Sequence, residues 1–215
     1  MKKIDLRSIK KKLIKSDSSL FKLFDRHNLT YLEVHEGRSP YESLVRAIAH
    51  QQLHGKAAET ILDRMLAMFP HKKFPSCDDI LNMDFEKLKA CGFSTNKVKS
   101  IRDIALKTQS GLVPSMKEIR KLSDGVLIER LTQIFGVGQW TVEMMLIFNL
   151  GRLDVWPSDD FGVRNGWRLW KRKREILSAK EIAPFGNKWI PYRTIVALHL
   201  WREADMKKLS KAGTL

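Results

Sequence analysis

Helix-start signals recur along this chain more densely than any other local pattern, and they leave little room for a sheet. Ser39-Pro40-Tyr41-Glu42 is a capping box with proline at the first helical position, where a serine oxygen takes one orphan amide and the glutamate reaches back for another. Leu44, Val45, Ile48 and Ala49 follow at helical spacing, before the polar group His50-Gln51-Gln52. Leu53-His54-Gly55 interrupts, and Ala57, Ala58, Ile61, Leu62 and Met65 form the stripe of the next helix. Ser76 and Asp84 cap two short helices, the second stopping near Gly92, and Ser94 opens one carrying Val98, Ile101, Ile104 and Ala105. After a Gly–Pro loop at 111–114 come two more helices, the second over 124–134. Phe161 to Lys171, a start at Ser178 with Glu181, and Trp189 to Glu203 complete the series, while residues 18–26 place Leu20, Phe21, Leu23 and Phe24 on one stripe. Period-two alternation is nowhere sustained, so the expected class is all-α without a sheet.

One stretch, Leu131 to Arg164, carries the chemistry. Gly136 and Gly138 bracket Val137, a spacing that turns the backbone sharply and brings amides close to a partner. A hairpin that opens a helix offers amides and the positive end of a dipole, which suits a phosphate. Twenty residues after Trp140 comes Asp160, at the expected start of the next helix.

The charge balance fits a polyanionic partner. The 215 residues hold 39 Lys and Arg against 24 Asp and Glu, a net charge of +15, and each phosphate neutralised by such a surface releases counterions. The length suits one large domain or two small lobes. Only two cysteines occur, Cys77 and Cys91. That excludes within this chain a disulfide scaffold, a four-cysteine zinc site and a four-cysteine iron–sulfur cluster, and the pair read as buried thiols of a reducing compartment. The basic start MKKIDLRSIKKKLIK lacks a following apolar run, and no stretch approaches the ~20 apolar residues of a membrane span. A soluble intracellular protein is expected, in the cytoplasm or nucleoid of a bacterium or the nucleus of a eukaryote.

Each candidate side chain has a plain structural reading beside the functional one. Asp159 and Asp160 would serve as N-caps, or one carboxylate could stabilise a developing cation or deprotonate a water on a sugar next to the gripped phosphate. Trp140 and Trp156 would pack in a core, or their faces could sandwich an everted, cationic base. His50 to His54 forms a bend between two apolar helices, or it fills the gap left by an everted nucleotide and contacts neighbouring minor-groove edges. The histidines lack metal-ligand spacing, and no P-loop or Ser–His–Asp signature is present.

Four blocks in order, SLVRAIAHQQLHGKAA, CGFSTNKVKSIRDIA, the opening stretch with DVWPSDD, and WIPYRTIVALHLW, resemble the helix-hairpin-helix DNA glycosylases. The resemblance is to their alkylation-repair branch of 3-methyladenine DNA glycosylase II type, and it covers roughly Pro40 to Trp201. It implies two helical lobes with a cleft between them, one about 1–38 plus 155–215, the other about 39–154 with the hairpin at 134–139. It makes Asp160 the catalytic carboxylate and Asp159 a neighbouring cap. Gly136, Val137, Gly138 and Thr141 become the phosphate grip. The carbonyls of Thr132, Ile134 and Val137 become ligands of a sodium or potassium ion, with no other cofactor required. Gln52 or Leu53 matches the wedge region, with Gln51 and His54 as further DNA contacts.

Strand-nicking members of such a family carry a lysine two residues after the second hairpin glycine, as the amine of a Schiff base. Here that residue is Trp140, so the resemblance implies a monofunctional enzyme that leaves an abasic site. The implied substrate is double-stranded DNA bearing damaged bases, bound by a monomer. N3- or N7-alkylation makes the purine a good leaving group, so Asp160 need only stabilise oxocarbenium charge and orient water, with Trp140, Trp156 and Trp189 as the pocket. Two rivals stand: a non-catalytic helix-hairpin-helix DNA-binding protein, and a glycosylase for hypoxanthine, ethenoadenine or oxidised purines.

Overall fold

A computed structural model describes residues 1–53 and 55–211, with side chains through Met206. The chain divides into two units, Met1–His35 with Leu150–Leu215, and Glu36–Asn149.

The first unit begins with β1 (Lys2–Asp5), α1 (Arg7–Ser16), α2 (Leu20–His27) and β2 (Tyr31–Val34). The two strands pair antiparallel, Lys2 opposite Val34 and Asp5 opposite Tyr31, which corrects the expectation of no sheet. Each strand has four residues, and in β2 Leu32 and Val34 turn inward while Tyr31 is exposed. Two inward positions are too few to register as a sustained alternation. The helical class stands, because this ribbon is the only sheet among the described residues.

The second unit runs α3 (Pro40–His50), α4 (Gly55–Ala67), α5 (Cys77–Asn82), α6 (Phe85–Ala90), α7 (Thr95–Gln109), α8 (Met116–Ile119), α9 (Asp124–Leu131) and α10 (Gln139–Phe148). The starts read from sequence hold. Ser39 Oγ accepts from Glu42 N at 3.1 Å, Ser76 and Asp79 form a reciprocal box, and Asp84 and Ser94 each take an amide of the following turn. Leu44, Ile48, Leu62, Met65, Ile101, Ile104 and Leu146 are fully or almost fully buried and form its core. Cys91 is buried and Cys77 half-buried, both as free thiols.

The chain then returns to the first unit through a loop, α11 (Phe161–Trp170), α12 (Ala179–Ile182), a 3-10 segment Ala183–Trp189 and α13 (Arg193–Lys211). The long last helix starts at Arg193 rather than Trp189, after the 3-10 segment and Pro191. Proline offers no amide and disfavours helix in the residue before it, which explains the later start. α11 packs along α13 at close range, since a Cβ on Gly166 would run into the Leu200 backbone.

His199 of α13 is fully enclosed in this unit. Its Nδ1 donates to Ile195 O at 2.8 Å, its ring lies 4.4 Å from that of Phe24, and Nε2 has no partner among the described residues. Burial pushes its pKa down to about 3, helped by the positive charges of Lys10, His27 and Arg202. An unfolded histidine binds its proton near pH 6.5, so between there and pH 3 the unfolded chain holds the extra proton. Stability from this group is complete above pH 6.5 and falls by roughly 1 kcal/mol per unit as pH drops towards 3. In melting scans the stability of wild type relative to His199→Leu should therefore fall as pH is lowered from 7 to 4, whereas a difference that does not change with pH would refute the account.

Candidate nucleic-acid interface and active site

The glycine hairpin joins α9 to α10. Val137 N donates to Ile134 O at 3.1 Å, and Gly136 sits at φ +76°, a conformation glycine adopts without strain. A Cβ on Gly136 would also strike the Ser100 hydroxyl of α7. Gly138 differs. It is extended, at φ −92° and ψ 173°, and a Cβ there would meet nothing within 4 Å. The fold itself makes no demand for glycine at 138, while an incoming backbone or phosphate would.

No side chain caps α10, whereas serines at 39, 94 and 123 each accept an amide of α3, α7 and α9. A serine cap would occupy the donors that a phosphate needs.

Two side chains, Asp103 and Gln51, hold this hairpin, a third, Lys97, fixes the end of α3 that carries Gln51, and local sequence reading assigned neither Asp103 nor Lys97. Asp103 Oδ2 accepts from Phe135 N at 2.7 Å. Gln51 Nε2 donates to Gly136 O and to Thr141 Oγ, both at 3.0 Å. Lys97 Nζ donates to Ala49 O at 2.9 Å and to Gln51 O at 2.8 Å, closing the C-terminal end of α3. The Gln51 amide is thus committed to the hairpin rather than turned towards a base edge, a correction to the expected DNA contact. Thr141, expected in the phosphate grip, is 1 % exposed and receives that amide. Partners 85 and 90 residues apart leave no local signal.

The bend after α3 is a type II turn. Leu53 N donates to His50 O at 3.3 Å, Gln51 has φ −55° and ψ 127°, and Gln52 has φ +57°. That third position normally takes glycine, so the chain keeps a side chain at some strain. Gln52 and Leu53 are both exposed, Leu53 at 39 %. His54 lies outside the described residues.

Asp160 belongs to the first unit and is the N-cap of α11. Its Oδ1 accepts from Val163 N and from Trp201 Nε1, each at 2.7 Å. Gly162 permits the second bond, because a Cβ there would lie 2.7 Å from Trp201 Cδ1 and 3.0 Å from Asp160 Oδ1. The carboxylate is therefore held from its own helix and from α13. Asp159 is exposed in the preceding turn, so the cap of this helix is Asp160 itself, a correction to the expected division of labour.

The loop before it is fastened to α13. Arg193 grips Asp154 through Nε at 2.8 Å and Nη2 at 3.0 Å, and Thr194 Oγ receives Val155 N while donating to Arg152 O, both at 2.9 Å. These bonds place residues 150–154 with the first unit.

The family profile of the HhH-GPD superfamily base excision DNA repair proteins matches residues 45–191. The chain belongs to that superfamily. It is 45 % identical over 176 residues to DNA-3-methyladenine glycosylase 1 of Schizosaccharomyces pombe, covering 82 % of this chain and 77 % of the relative. It is 33 % identical over 210 residues to the alkylbase DNA glycosidase-like protein mag2 of the same yeast, covering 97 % of each. The solved S. pombe 3-methyladenine DNA glycosylase in complex with abasic DNA superimposes with a TM-score of 0.85 at 42 % identity, over 91 % of this chain and 95 % of that one.

In this HhH-GPD chain the three expected pocket tryptophans differ in exposure. Trp140 keeps partial exposure beside the hairpin. Trp189 is 0 % exposed, with its ring 5.3 Å from Trp156 and Nε1 donating to Asp17 at 3.1 Å, so it presents no face to a base. Trp156 is 8 % exposed, donates to Ile182 O at 3.4 Å, and has Gly186 against its indole. Both are core residues of the first unit, which corrects their assignment as pocket walls. An aromatic stripe in sequence looks the same whether it lines a pocket or fills a core.

Trp201 is a further residue that sequence reading missed. Its only signal is its place at the end of the fourth block, 41 residues beyond Asp160. Trp201→Phe keeps an aromatic ring and deletes the donor to Oδ1. A hydrogen bond worth about 1.4 kcal/mol corresponds to a tenfold rate change. Single-turnover base release should slow by about that factor, with affinity for abasic DNA retained. An unchanged rate would remove Trp201 as a positioning residue.

Proposed function

We propose that this protein is a monofunctional DNA glycosylase that everts alkylated purines of the 3-methyladenine and 7-methylguanine class from duplex DNA. It hydrolyses the glycosidic bond and leaves an abasic site. The observation that carries this reading is the Asp160 carboxylate at the start of α11, whose Oδ1 accepts from Val163 N and from Trp201 Nε1, in a chain 45 % identical to a 3-methyladenine glycosylase.

The chemistry follows from the substrate. An alkylated purine carries positive charge and departs without a strong acid. Bond breakage builds oxocarbenium charge on the deoxyribose, which a positioned carboxylate stabilises without reorganisation. The same group orients the attacking water. The uncapped amides at the start of α10 and the open space at Gly138 take a backbone phosphate. Gln52 and Leu53, exposed on their strained turn, fill the stack that the everted base leaves. Trp140 offers an aromatic face to the cationic base.

A sodium or potassium ion would be held by the carbonyls of Thr132, Ile134 and Val137. These neutral oxygens suit a hard monovalent cation, and although the Ile134 carbonyl already accepts the Val137 amide, a second lone pair remains. Its chemistry would be added positive charge beside the phosphate. Among the described residues no cluster of His, Cys, Asp or Glu could hold a metal ion, and no helix is long and apolar enough to cross a membrane.

Chromatographic resolution of bases released from methylated DNA tests the reading. Release of 3-methyladenine and 7-methylguanine is expected, and no release of any alkylated base would overturn it. With tryptophan at position 140 there is no hairpin amine to form an imine. Borohydride added during turnover should consequently trap no protein–DNA adduct, and a trapped adduct would reveal lyase chemistry.

A further inference from the structure

Four consecutive basic residues, Lys171, Arg172, Lys173 and Arg174, follow the last turn of α11. Arg172 N donates to Leu169 O at 3.2 Å and Lys173 N to Arg168 O at 2.9 Å, with Arg172 at φ +53°. This is a Schellman ending, whose left-handed position normally holds glycine. Here an arginine occupies it. Lys171 is pinned, its ammonium 3.6 Å from the centroid of Trp170. Arg172, Lys173 and Arg174 are exposed and form no ion pair among the described residues, although Glu175 follows directly.

A helix C-terminus does favour cations, but one or two suffice for the dipole. Four adjacent ones repel each other, and a side chain in the left-handed position opposes the fold. The surplus is regional as well. The first unit holds 23 Lys and Arg against 11 Asp and Glu, the second 16 against 13. Asp160 caps the opposite end of the same ten-residue helix, which is about 15 Å long. With α11 laid along a duplex axis, that length spans roughly four to five base pairs between the reacting sugar and a phosphate touched by this loop.

We propose that the loop 171–174 is a second duplex contact, which grips backbone phosphates outside the lesion and holds the protein on undamaged DNA. The proposal rests on the glycosylase reading for its partner. The backbone of this turn is fixed by its Schellman bonds, and the surplus of positive charge across the first unit favours the regularly spaced phosphates of a duplex as its partner.

Two variants and two DNA lengths test it. Lys173→Gln with Arg174→Gln should bind an undamaged 25-base-pair duplex about tenfold more weakly near 0.1 M salt. The slope of log affinity against log salt should fall by about 2, close to 0.9 for each phosphate no longer neutralised. On a nine-base-pair hairpin stem with a central lesion, too short to reach the loop, affinity and single-turnover base release should match wild type. Arg172→Gly separates binding from folding. It should raise the melting temperature by about 2 °C through relief of the left-handed arginine, and still weaken the long duplex several-fold. Unchanged affinity for the long duplex, or an equal loss on both lengths, would overturn the proposal. So would retained duplex affinity with weakened binding of a poly-glutamate peptide, which would assign the loop to an acidic protein surface. Absence of base release by the unsubstituted protein would refute the glycosylase reading alone, since the affinity comparison needs no catalysis.

Discussion

Asp160→Asn should abolish nearly all release of alkylated bases, by about a thousandfold or more in the single-turnover rate, while binding to abasic DNA persists. Electrostatic stabilisation by a single preorganised group is worth about 10²–10³, and loss of water activation adds to it. The substitution is a clean one because asparagine caps helices about as well as aspartate. Its Oδ1 can accept both the Val163 amide and the Trp201 indole N–H that hold Asp160. The variant should therefore melt within a few degrees of wild type, leaving the missing charge as the difference. Asp159→Asn, in an exposed turn, should remain near wild type in the same assay. Full base release by Asp160→Asn would remove the catalytic assignment, and an equal loss in Asp159→Asn would show that the pair acts jointly.

The second large effect is expected at the hairpin, where the two glycines should fail in different ways. Gly136→Ala places a Cβ at φ +76° and against the Ser100 hydroxyl. The left-handed strain and the clash together should cost about 2–4 kcal/mol, read as a lower denaturation midpoint, and duplex affinity should fall with it. Ser100→Gly in the same chain should recover the part due to the clash but not the part due to φ. Gly138→Ala meets open space at φ −92°, so stability should barely change while affinity drops tenfold or more. Equal stability losses at both positions would show that the hairpin needs its glycines only to fold. Undiminished DNA binding by Gly138→Ala would show that no backbone phosphate approaches there.

Much of this architecture was legible in the chain because caps and glycine turns act over three or four residues. Ser39, Ser76, Asp84, Ser94 and Ser178 each take the amide expected of them. The start of α11 at Asp160 and the turn at Gly136 follow from the same short-range rules. The four-residue strands escaped for a related reason, since two inward side chains do not establish a period.

Function-bearing contacts over long separations were not legible. Gln51 reads in sequence as a polar residue on a bend, yet its amide braces Gly136 and Thr141. Trp189 and Trp156 have the composition of a base pocket and the burial of a core. Trp201 carries no local mark of its bond to Asp160, which depends on the close packing of α11 on α13 through Gly162 and Gly166.

The sequence by itself determined where the helices begin, where the chain turns, and which acid stands at the head of α11, because a cap and its amide are neighbours along the backbone. Only the tertiary structure decided which oxygen of that acid is held and by what, which tryptophans are used in packing, and which glutamine faces the hairpin. Those outcomes depend on side chains that meet only when helices distant in sequence pack together.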